Sequence, residues 1–353
     1  MIEEWIKNQC QDYGGIAVIA GFFVSVIYLL IMMNFEKTIN LFGQENYYMK
    51  LIGFFIGVII LGITCYIDDV KGIPSLVKLA AQVVAAIVVV MCGVRIENFT
   101  LPFTDNKIMI NDLLSFILTI GWIVGITNAI NLIDGLDGLS SGVCLISCLS
   151  LLIIFSLNGS PVLAIVLITA LAGAIVGFLP FNFSPAKTFI GDTGSNFMGF
   201  SLSIISILGV AKTYTAIVLI APIIVLALPI FDTIFAIIRR IIKGKSIKAI
   251  LKPDKGHLHH RLMQRGYSQK QAVLIMYGIT AILGMFAIIL LESGIWKALS
   301  FALLICAIVA IGYKDIARVM EDRENKKTMN IDEKTKEEKE VKEIEIKPHR
   351  TNE

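Results

Sequence analysis

Apolar stretches long enough to cross a membrane recur along most of this 353-residue chain, separated by short polar breaks. Each stretch has roughly 17 to 22 residues, and a helix of that length spans about 30 Å of hydrocarbon. Hydrophobic residues make up 56% of the sequence and charged residues only 17%, which is too apolar a balance for a soluble domain of this size. The sequence therefore predicts an all-α, polytopic membrane protein built as a helical bundle.

The lengths and spacing of the apolar stretches predict about ten membrane-spanning helices joined by mostly short connections. Their expected positions are near 16–33, 49–66, 76–94, 112–133, 139–157, 161–179, 196–211, 214–238, 272–291 and 295–312. Residues 1–313 then form one transmembrane domain. The segment 314–353 is highly charged and contains no Phe, Trp or Tyr, so we expect a disordered cytoplasmic tail.

The orientation follows from one basic loop. Residues 239–271 contain ten lysines and arginines, whereas the loops on the opposite side hold isolated basic residues. The positive-inside rule places that loop in the cytoplasm. Alternation of the predicted spans then brings the chain's polar motifs to the same cytoplasmic side. These are the acidic residues Asp68, Asp69, Asp134, Asp137 and Asp192 and the segment that holds His257, His259 and His260, called the histidine segment below. We therefore expect a cell-membrane protein with a cytoplasmic active-site cleft.

Other features exclude several classes of protein. The first sixteen residues are acidic and polar, so we expect no cleaved export signal. The six cysteines are scattered without a CxxC pair, which is typical of small apolar packing residues rather than of a disulfide or metal framework. The net charge of +3 is small, and no nucleic-acid partner is indicated.

Four polar motifs interrupt the apolar background at predicted helix ends. They are YIDDVKG (66–72), NAINLIDGLDGL (128–139), FIGDTGSNFMGF (189–200) and KPDKGHLHHRL (252–262). A single acid at such a position is usually a solvated helix end, but carboxylates near a membrane are costly unless they face a cavity, an ion or a counter-charge. Mg²⁺ prefers oxygen ligands, and the first three motifs supply more of them than one ion needs. The remaining acids are free to accept a proton or bind a nucleotide. The candidates are Asp68, Asp69, Asn131, Asp134, Asp137 and Asp192.

The histidines and nearby lysines favour an anionic substrate. Three of the four histidines in the chain, His257, His259 and His260, lie within four positions, and Arg261 follows them. A zinc site is the alternative, but adjacent histidines without a nearby cysteine fit the usual ligand spacings poorly. Lys71 and Lys78 follow the first acidic pair as membrane-edge anchors or as partners of a lipid phosphate. For Asp232 we expect a stabilising ion pair with a basic neighbour.

The four motifs together resemble those of the polyprenyl-phosphate N-acetylhexosamine-1-phosphate transferase family, in the family's order. The resemblance extends from Gly14 to about Tyr313, and the forms of the motifs are more similar to the GlcNAc-1-phosphate branch than to the phospho-MurNAc-pentapeptide translocase. It implies attack of undecaprenyl phosphate on the β-phosphate of a UDP-sugar at the membrane, giving a lipid-pyrophosphoryl sugar and UMP. Mg²⁺ is implied as the cofactor, with Mn²⁺ as an alternative, and a homodimer is left open.

The resemblance also implies roles for individual residues. Asn131 and Asp192 would bind the metal, and Asp68 or Asp69 would bind or deprotonate the lipid phosphate. Asp134 and Asp137 would shape the nucleotide site. The substrate-binding residues would be Lys71, Lys78, Asn128, His257, His259, His260 and Arg261.

Three alternatives remain open at this stage. One is a phospho-MurNAc-pentapeptide transferase. Another is an inactive or truncated member of the same family, because family members usually have another helix before the Gly-Gly pair at 14–15. The third is an ion-coupled carrier, which should place its ionisable residues near mid-span rather than at one membrane face.

Overall fold

The computed structural model describes residues 13–35, 47–100, 107–210, 216–244 and 256–292, with some helical positions between 295 and 303. Within the compact unit that ends at Gly294, the helices are α1 (Gly14–Phe35), α2 (Tyr47–Lys71), α3 (Ser75–Met91), α4 (Asp112–Ile133), α5 (Leu139–Leu157), α6 (Val162–Asn182), α7 (Gly191–Val210), α8 (Ala216–Val225), α9 (Ala227–Gly244), α10 (Leu258–Gln264) and α11 (Gln269–Glu292). Two three-residue strands, β1 (Asn98–Thr100) and β2 (Lys107–Met109), form an antiparallel hairpin. The predicted all-α architecture is confirmed apart from this hairpin.

Seven of the described helices, α1, α2, α4, α5, α6, α7 and α11, are long and apolar enough to cross a membrane. The predicted span 76–94 corresponds to α3, an apolar helix of only 17 residues. The predicted span 295–312 lies largely outside the described residues. The multi-pass character is thus confirmed, while the number ten stays a prediction.

The predicted span 214–238 is divided between α8 and α9, with a break at Leu226. Pro222 lies in α8, and Pro229 lies three residues after the break. Proline has no backbone N–H and its ring crowds the preceding turn, so a continuous helix through this region would lose hydrogen bonds. One long apolar stretch is therefore interrupted at Leu226 and folds as two helices.

Helix α7 is the centre of the bundle. In its most apolar stretch 94% of the residues are buried, compared with 22% in α1. Small residues allow neighbouring backbones to approach α7 closely: a Cβ at Gly199 would lie 2.8 Å from the Cα of Thr127 in α4. Apolar lipid gives helices little reason to associate by hydrophobicity alone, so close packing at small residues stabilises such bundles.

The helix ends that carry the polar motifs gather at one end of the bundle. The end of α2 meets the start of α7, because Asp69 accepts a hydrogen bond from the backbone of Thr193. The start of α3 meets the same helix through Lys78, and the end of α4 reaches it through Asn131. These contacts bring the first three motifs to one end of the bundle, as the alternation of spans predicted, while the cytoplasmic position of that end stays a prediction.

Candidate functional site

The first element of the site is a lysine held between two carboxylates. The ammonium of Lys78, in the first turn of α3, lies 2.6 Å from Asp68 Oδ2 and also contacts Asp192 Oδ2. These side chains are largely enclosed, with exposed fractions of 15% for Lys78, 12% for Asp68 and 35% for Asp192. The backbone N–H of Ile73 donates to Asp68 Oδ1 at 2.7 Å. Lys78 on α3 thus neutralises the negative charge of two carboxylates, one from α2 and one from α7.

Asn131, near the end of α4, contacts the other oxygen of Asp192. Its Nδ2 donates to Asp192 Oδ1 and to Ser195 Oγ, at 2.9 Å in each case. The two residues predicted to bind a metal are therefore neighbours in the folded chain. This contact uses the amide nitrogen of Asn131, so its carbonyl oxygen is the atom suited to a cation.

Asp69 has a different environment from Asp68. Its Oδ1 accepts from the backbone N–H of Asp192 at 2.9 Å. Its Oδ2 accepts from the backbone N–H of Thr193 at 3.0 Å and from the Thr193 hydroxyl at 2.6 Å. The first amides of a helix have no partner within the helix and favour a negative charge. Asp69 therefore caps α7 from a neighbouring helix and fixes the backbone that carries Asp192.

Asp134 and Asp137 lie in the connection between α4 and α5. The Ser140 hydroxyl donates to Asp134 Oδ1 at 2.6 Å, and the Ala186 N–H donates to Asp137 Oδ2 at 3.1 Å. Desolvation raises the pKa of Asp134 to about 7, with smaller contributions from the charges of Asp192 and Asp69. Before any cation or substrate binds, Asp134 can therefore exchange a proton near neutral pH.

A buried group of amides lies beneath these acids. Gln82, one turn after Lys78 on α3, donates to Asn196 Oδ1 at 2.8 Å and receives a hydrogen bond from Asn128 Nδ2 at 2.5 Å. Asn196 Nδ2 donates to the backbone oxygen of Asp192 at 2.8 Å. Buried polar networks of this kind rigidify the groups that they support. Asn128, predicted to bind substrate, is thus engaged in supporting the acidic site.

The histidine segment reaches the same end of the bundle. Asp232 on α9 accepts from His257 Nδ1 and from the Leu258 N–H, at 2.8 Å in each case. His259 packs on Gly135, where a Cβ would lie 2.5 Å from His259 Nε2. Burial is the main reason that the pKa of His259 falls to about 4, and the nearby His260 lowers it further. His259 is therefore neutral at physiological pH.

A cavity of about 370 Å³ opens among these elements. Its walls are the connection 134–137, the segment 189–192 that starts α7, and the side chains of Asp69 and Asn182. Four of the lining residues are acids: Asp69, Asp134, Asp137 and Asp192. Clefts of this size bury much of a small ligand. Because four acids line this cavity, it suits a ligand that binds together with a cation.

The side chains around the cavity fit a hard divalent cation. Among the residues that the structure describes, no three His, Cys, Asp or Glu side chains are arranged to hold a metal by themselves. Mg²⁺ typically takes one or two carboxylates and completes its shell with water and substrate phosphates. Asp192 and Asn131 supply oxygens of the required type, and Lys78 shows that a positive charge is stabilised beside Asp192.

The structure brings most of the predicted residues together, but not all in one contact network. Asp68, Asp69, Lys78, Asn131 and Asp192 are joined by hydrogen bonds and ion pairs. Lys71, the last residue of α2, is exposed, as is Arg261, and His260 is half-buried. The catalytic and substrate-binding roles assigned from the resemblance remain predictions.

Several supporting residues were absent from the sequence predictions. Gln82 carried a usable signal, since an amide one helical turn after Lys78 is unusual in an apolar helix. Tyr277 donates its hydroxyl to the backbone oxygen of Gly138, which has a φ of 75°. Thr193, Asn182 and Tyr277 gave no such signal, because their importance depends on partners far away in sequence.

Comparison with known proteins gives consistent relationships. A model of glycosyl transferase family 4 matches residues 51–210. The chain is 41% identical over 286 residues to the "probable undecaprenyl-phosphate N-acetylglucosaminyl 1-phosphate transferase" of Bacillus subtilis (strain 168), covering 81% of this chain and 75% of that relative.

Two further relatives align over shorter regions. A "decaprenyl-phosphate N-acetylglucosaminephosphotransferase" of Mycolicibacterium smegmatis is 39% identical over 231 residues, which is 60% of this chain and 56% of the relative. A "phospho-N-acetylmuramoyl-pentapeptide-transferase" of Chlamydia trachomatis is 47% identical over 98 residues, or 27% of this chain and 29% of the relative. The extent and identity of the Bacillus alignment decide the family: the chain belongs to glycosyl transferase family 4.

Proposed function

We propose that this protein transfers N-acetylglucosamine 1-phosphate from UDP-GlcNAc to undecaprenyl phosphate, releasing UMP and starting a cell-envelope polymer. The transfer of a sugar-1-phosphate to a polyprenyl phosphate follows from its family and relatives. The observation that carries the proposal is the contact of Lys78 with both Asp68 and Asp192 beside an acid-lined cavity of about 370 Å³.

The choice of donor rests on the relatives. The Bacillus and Mycolicibacterium proteins are both named for transfer of an N-acetylglucosamine phosphate, and both align over more than half of this chain. The relative named for the phospho-N-acetylmuramoyl-pentapeptide reaction aligns over 27% of it. This difference favours GlcNAc over the larger muramoyl-pentapeptide donor.

The chemistry explains why charge is concentrated at this site. An oxygen of the lipid phosphate attacks the β-phosphorus of the donor, a new P–O bond forms, and the bond to the α-phosphate oxygen breaks to release UMP. Negative charge builds on the phosphoryl oxygens and the leaving group, so positioning and electrostatic stabilisation provide most of the catalysis. Asp192 and Asn131 would hold a Mg²⁺ ion by their side-chain oxygens, and the bound ion would neutralise negative charge on the phosphates.

The chain's own residues perform the remaining tasks. Lys78 can neutralise the incoming lipid phosphate, since its ammonium already lies at the membrane-edge start of α3 between two carboxylates. Asp68 keeps one oxygen on that lysine, and we assign to Asp68 or to the adjacent Asp69 the task of holding or accepting the phosphate proton. Asp69, which caps α7, orients the backbone of Asp192. The pyrophosphate product keeps the anhydride energy of the donor, so the reaction should run in both directions.

We further propose that the cavity faces the cytoplasm. The support is the concentration of basic residues in the segment 239–271. Its described part includes His259, which packs on Gly135 beside the acids. A cytoplasmic cleft gives a soluble nucleotide sugar access to a lipid phosphate held at the membrane surface. A carrier is disfavoured, because the described acids of the site gather at one end of the bundle.

Exchange of labelled UMP into UDP-GlcNAc tests the function. Membranes containing the protein and undecaprenyl phosphate should exchange label when Mg²⁺ is present, and exchange should stop when EDTA is added. A parallel donor panel of UDP-GlcNAc, UDP-GalNAc and UDP-MurNAc-pentapeptide should show a preference for the first. Exchange with UDP-MurNAc-pentapeptide alone would overturn the choice of donor while leaving the reaction class intact.

The Asp192→Asn variant tests the site. It keeps the size of the side chain but removes the charge, so we expect a loss of exchange of about 10²-fold or more, as for removal of a key electrostatic group. The variant should still insert and purify like the wild type. Near-normal exchange would show that Asp192 is not a metal ligand.

A further inference from the structure

Asp232 lies outside the acidic cluster, yet both of its carboxylate oxygens are engaged at the start of the histidine segment. Oδ2 contacts His257 Nδ1 and Oδ1 accepts from the Leu258 N–H, at 2.8 Å in each case. The side chains of Asp232 and His257 are enclosed, with exposed fractions of 7% and 5%. Nearby, Arg239 donates to the backbone oxygen of Gly256 at 2.6 Å, so α9 holds this segment at two points.

These contacts fix both the backbone and the ring of His257. The Leu258 N–H is the first amide of α10, and the side chain of the preceding His257 makes no capping hydrogen bond. Asp232 therefore provides the cap that α10 lacks locally. An ionised carboxylate can only accept hydrogen bonds, so the Nδ1 of His257 carries its proton and the ring orientation is set.

The ring of His257, held in place by Asp232, packs against the ring of His259. The rings of His257 and His259 are stacked, with an interplanar angle of 7° and centroids 5.9 Å apart. His259 in turn packs on Gly135, which lines the acidic cavity. His259 is 1% exposed, and within the described part of the chain neither of its ring nitrogens has a hydrogen-bond partner. A chain of direct contacts thus runs from Asp232 to the cavity wall.

We propose that Asp232 is a positioning residue for the nucleotide-sugar site, acting through His257 and His259. This inference rests on the proposed function and adds to it that the histidine segment, which the family resemblance gives a substrate-binding role, lies against the donor's phosphates. Asp232 does not touch the cavity itself. Its role is to hold the histidine segment against the 134–137 connection, so that the donor meets a preformed wall rather than one that must order on binding.

The proposal separates two substrates. The donor phosphates are expected near the histidine segment and the lipid phosphate near Lys78 and Asp68, on α3 and α2. Loss of Asp232 should therefore weaken the binding of the nucleotide-sugar donor and leave the binding of the lipid phosphate unchanged. A carboxylate that served only to stabilise the fold would lower the amount of active protein and leave both KM values unchanged.

The experiment measures kcat and both KM values for Asp232→Asn and Asp232→Ala. Carboxylates that orient metal-bound histidines typically contribute 10- to 100-fold, and we expect the lower end of that range here, so the alanine variant should raise KM for UDP-GlcNAc by about 10-fold. KM for undecaprenyl phosphate should stay within about twofold, as for a surface change. Asn keeps an acceptor for the Leu258 N–H and should show a smaller effect. Asp112→Ala, at an exposed residue in the first turn of α4, is the matched control.

Two outcomes would overturn the proposal. The first is a KM for UDP-GlcNAc that changes no more than the KM for undecaprenyl phosphate, whether both stay unchanged or both rise equally, because a carboxylate that only stabilises the fold has no selective effect on the donor. Additive effects of Asp232→Ala and His257→Ala would also contradict it, because residues that act through one another give non-additive double mutants. If Asp232→Ala does not insert into the membrane, the two KM values are compared in Asp232→Asn and His257→Ala instead.

A chemical readout keeps this inference separate from the proposed function. Diethylpyrocarbonate modifies accessible imidazoles, and peptide mass spectrometry on the purified full chain can compare the three neighbouring histidines. His257 and His259 are buried and His260 is half-buried, so wild-type protein should react first at His260. Asp232→Ala should expose His257 and His259, whereas unchanged protection would overturn the positioning role. A wild-type protein without UMP exchange but with this protection pattern would refute only the function.

Discussion

Asp69 and Thr193 are joined by two hydrogen bonds across 124 residues of sequence, from the threonine N–H at 3.0 Å and from its hydroxyl at 2.6 Å. With the third bond from the Asp192 N–H, the Asp69 carboxylate at the end of α2 accepts from the first amides of α7, which have no partner within their own helix. The orientation of Asp192 thus depends on a residue that belongs to another helix. The two adjacent aspartates of YIDDVKG consequently have different environments, and we expect their variants to behave differently.

Asp69→Ala should destabilise the protein. It removes three hydrogen bonds from the start of α7, and the loss of a helix cap typically costs about 1 to 2 kcal/mol. Thr193→Val is the matched partial variant, since it removes the hydroxyl contact and keeps the backbone one, so its cost should be nearer 1 kcal/mol. Thermal unfolding in a mild detergent compares the two. A Thr193→Val variant less stable than Asp69→Ala would contradict the capping role.

Lys78→Met should abolish transfer. The change leaves Asp68 and Asp192 without their shared cation in a largely enclosed site, and an unpaired buried charge typically costs about 3 to 5 kcal/mol. UMP exchange and thermal unfolding measure the two consequences. Lys71→Met is the control at the exposed end of α2, and it should stay within about 0.5 kcal/mol of the wild type. Equal losses of exchange activity and stability in Lys78→Met and Lys71→Met would show that Lys78 has no special role in the site.

Gly135→Ala should disturb the contact between the acidic connection and the histidine segment. The added Cβ would lie 2.5 Å from His259 Nε2, and such overpacking typically costs about 1 to 3 kcal/mol. Gly121→Ala on α4 is the matched control, because nothing lies within 4 Å of its Cβ position. That change should be neutral or stabilising by up to about 1 kcal/mol, since alanine favours a helix over glycine.

The two glycine variants can be compared by exchange activity and thermal unfolding. Gly135→Ala should lose activity and Gly121→Ala should retain it. A Gly135→Ala protein with wild-type activity and stability would show that His259 does not pack on this connection.

His259 should make stability depend on pH in the acidic range. Its pKa is about 4 in the folded protein, below the usual value of 6.5, so the unfolded chain binds more protons between these values. Stability therefore rises with pH from about 4 to 6.5 and gains nothing further from this residue above that range. Below pH 4 both states are protonated and the loss is complete.

Thermal unfolding between pH 4 and 7 measures this dependence. His259→Asn removes the titrating group and should flatten the slope over this interval. A slope equal to that of the wild type would assign the pH dependence to other groups.

The sequence by itself determined the features that depend on local composition. The lengths of apolar stretches predicted α4 at 112–133 and α5 at 139–157, and the described helices have those bounds. Alternation of the spans predicted that Asp68, Asn131 and Asp192 share one face, because the first two come near the ends of spans that run toward that face and Asp192 begins a span that runs away from it. Hydrocarbon thickness constrains these properties directly, so no tertiary information was needed.

The tertiary structure decided which groups are partners. Nothing local distinguishes Asp68, which pairs with Lys78, from Asp69, which caps α7, since the two are adjacent on one helix. The sequence predicted a basic partner for Asp232 without naming His257, which lies 25 residues away at the start of another helix. Such pairs depend on helix rotation and on close approach at small residues, which are set by packing against the whole bundle rather than by any one segment.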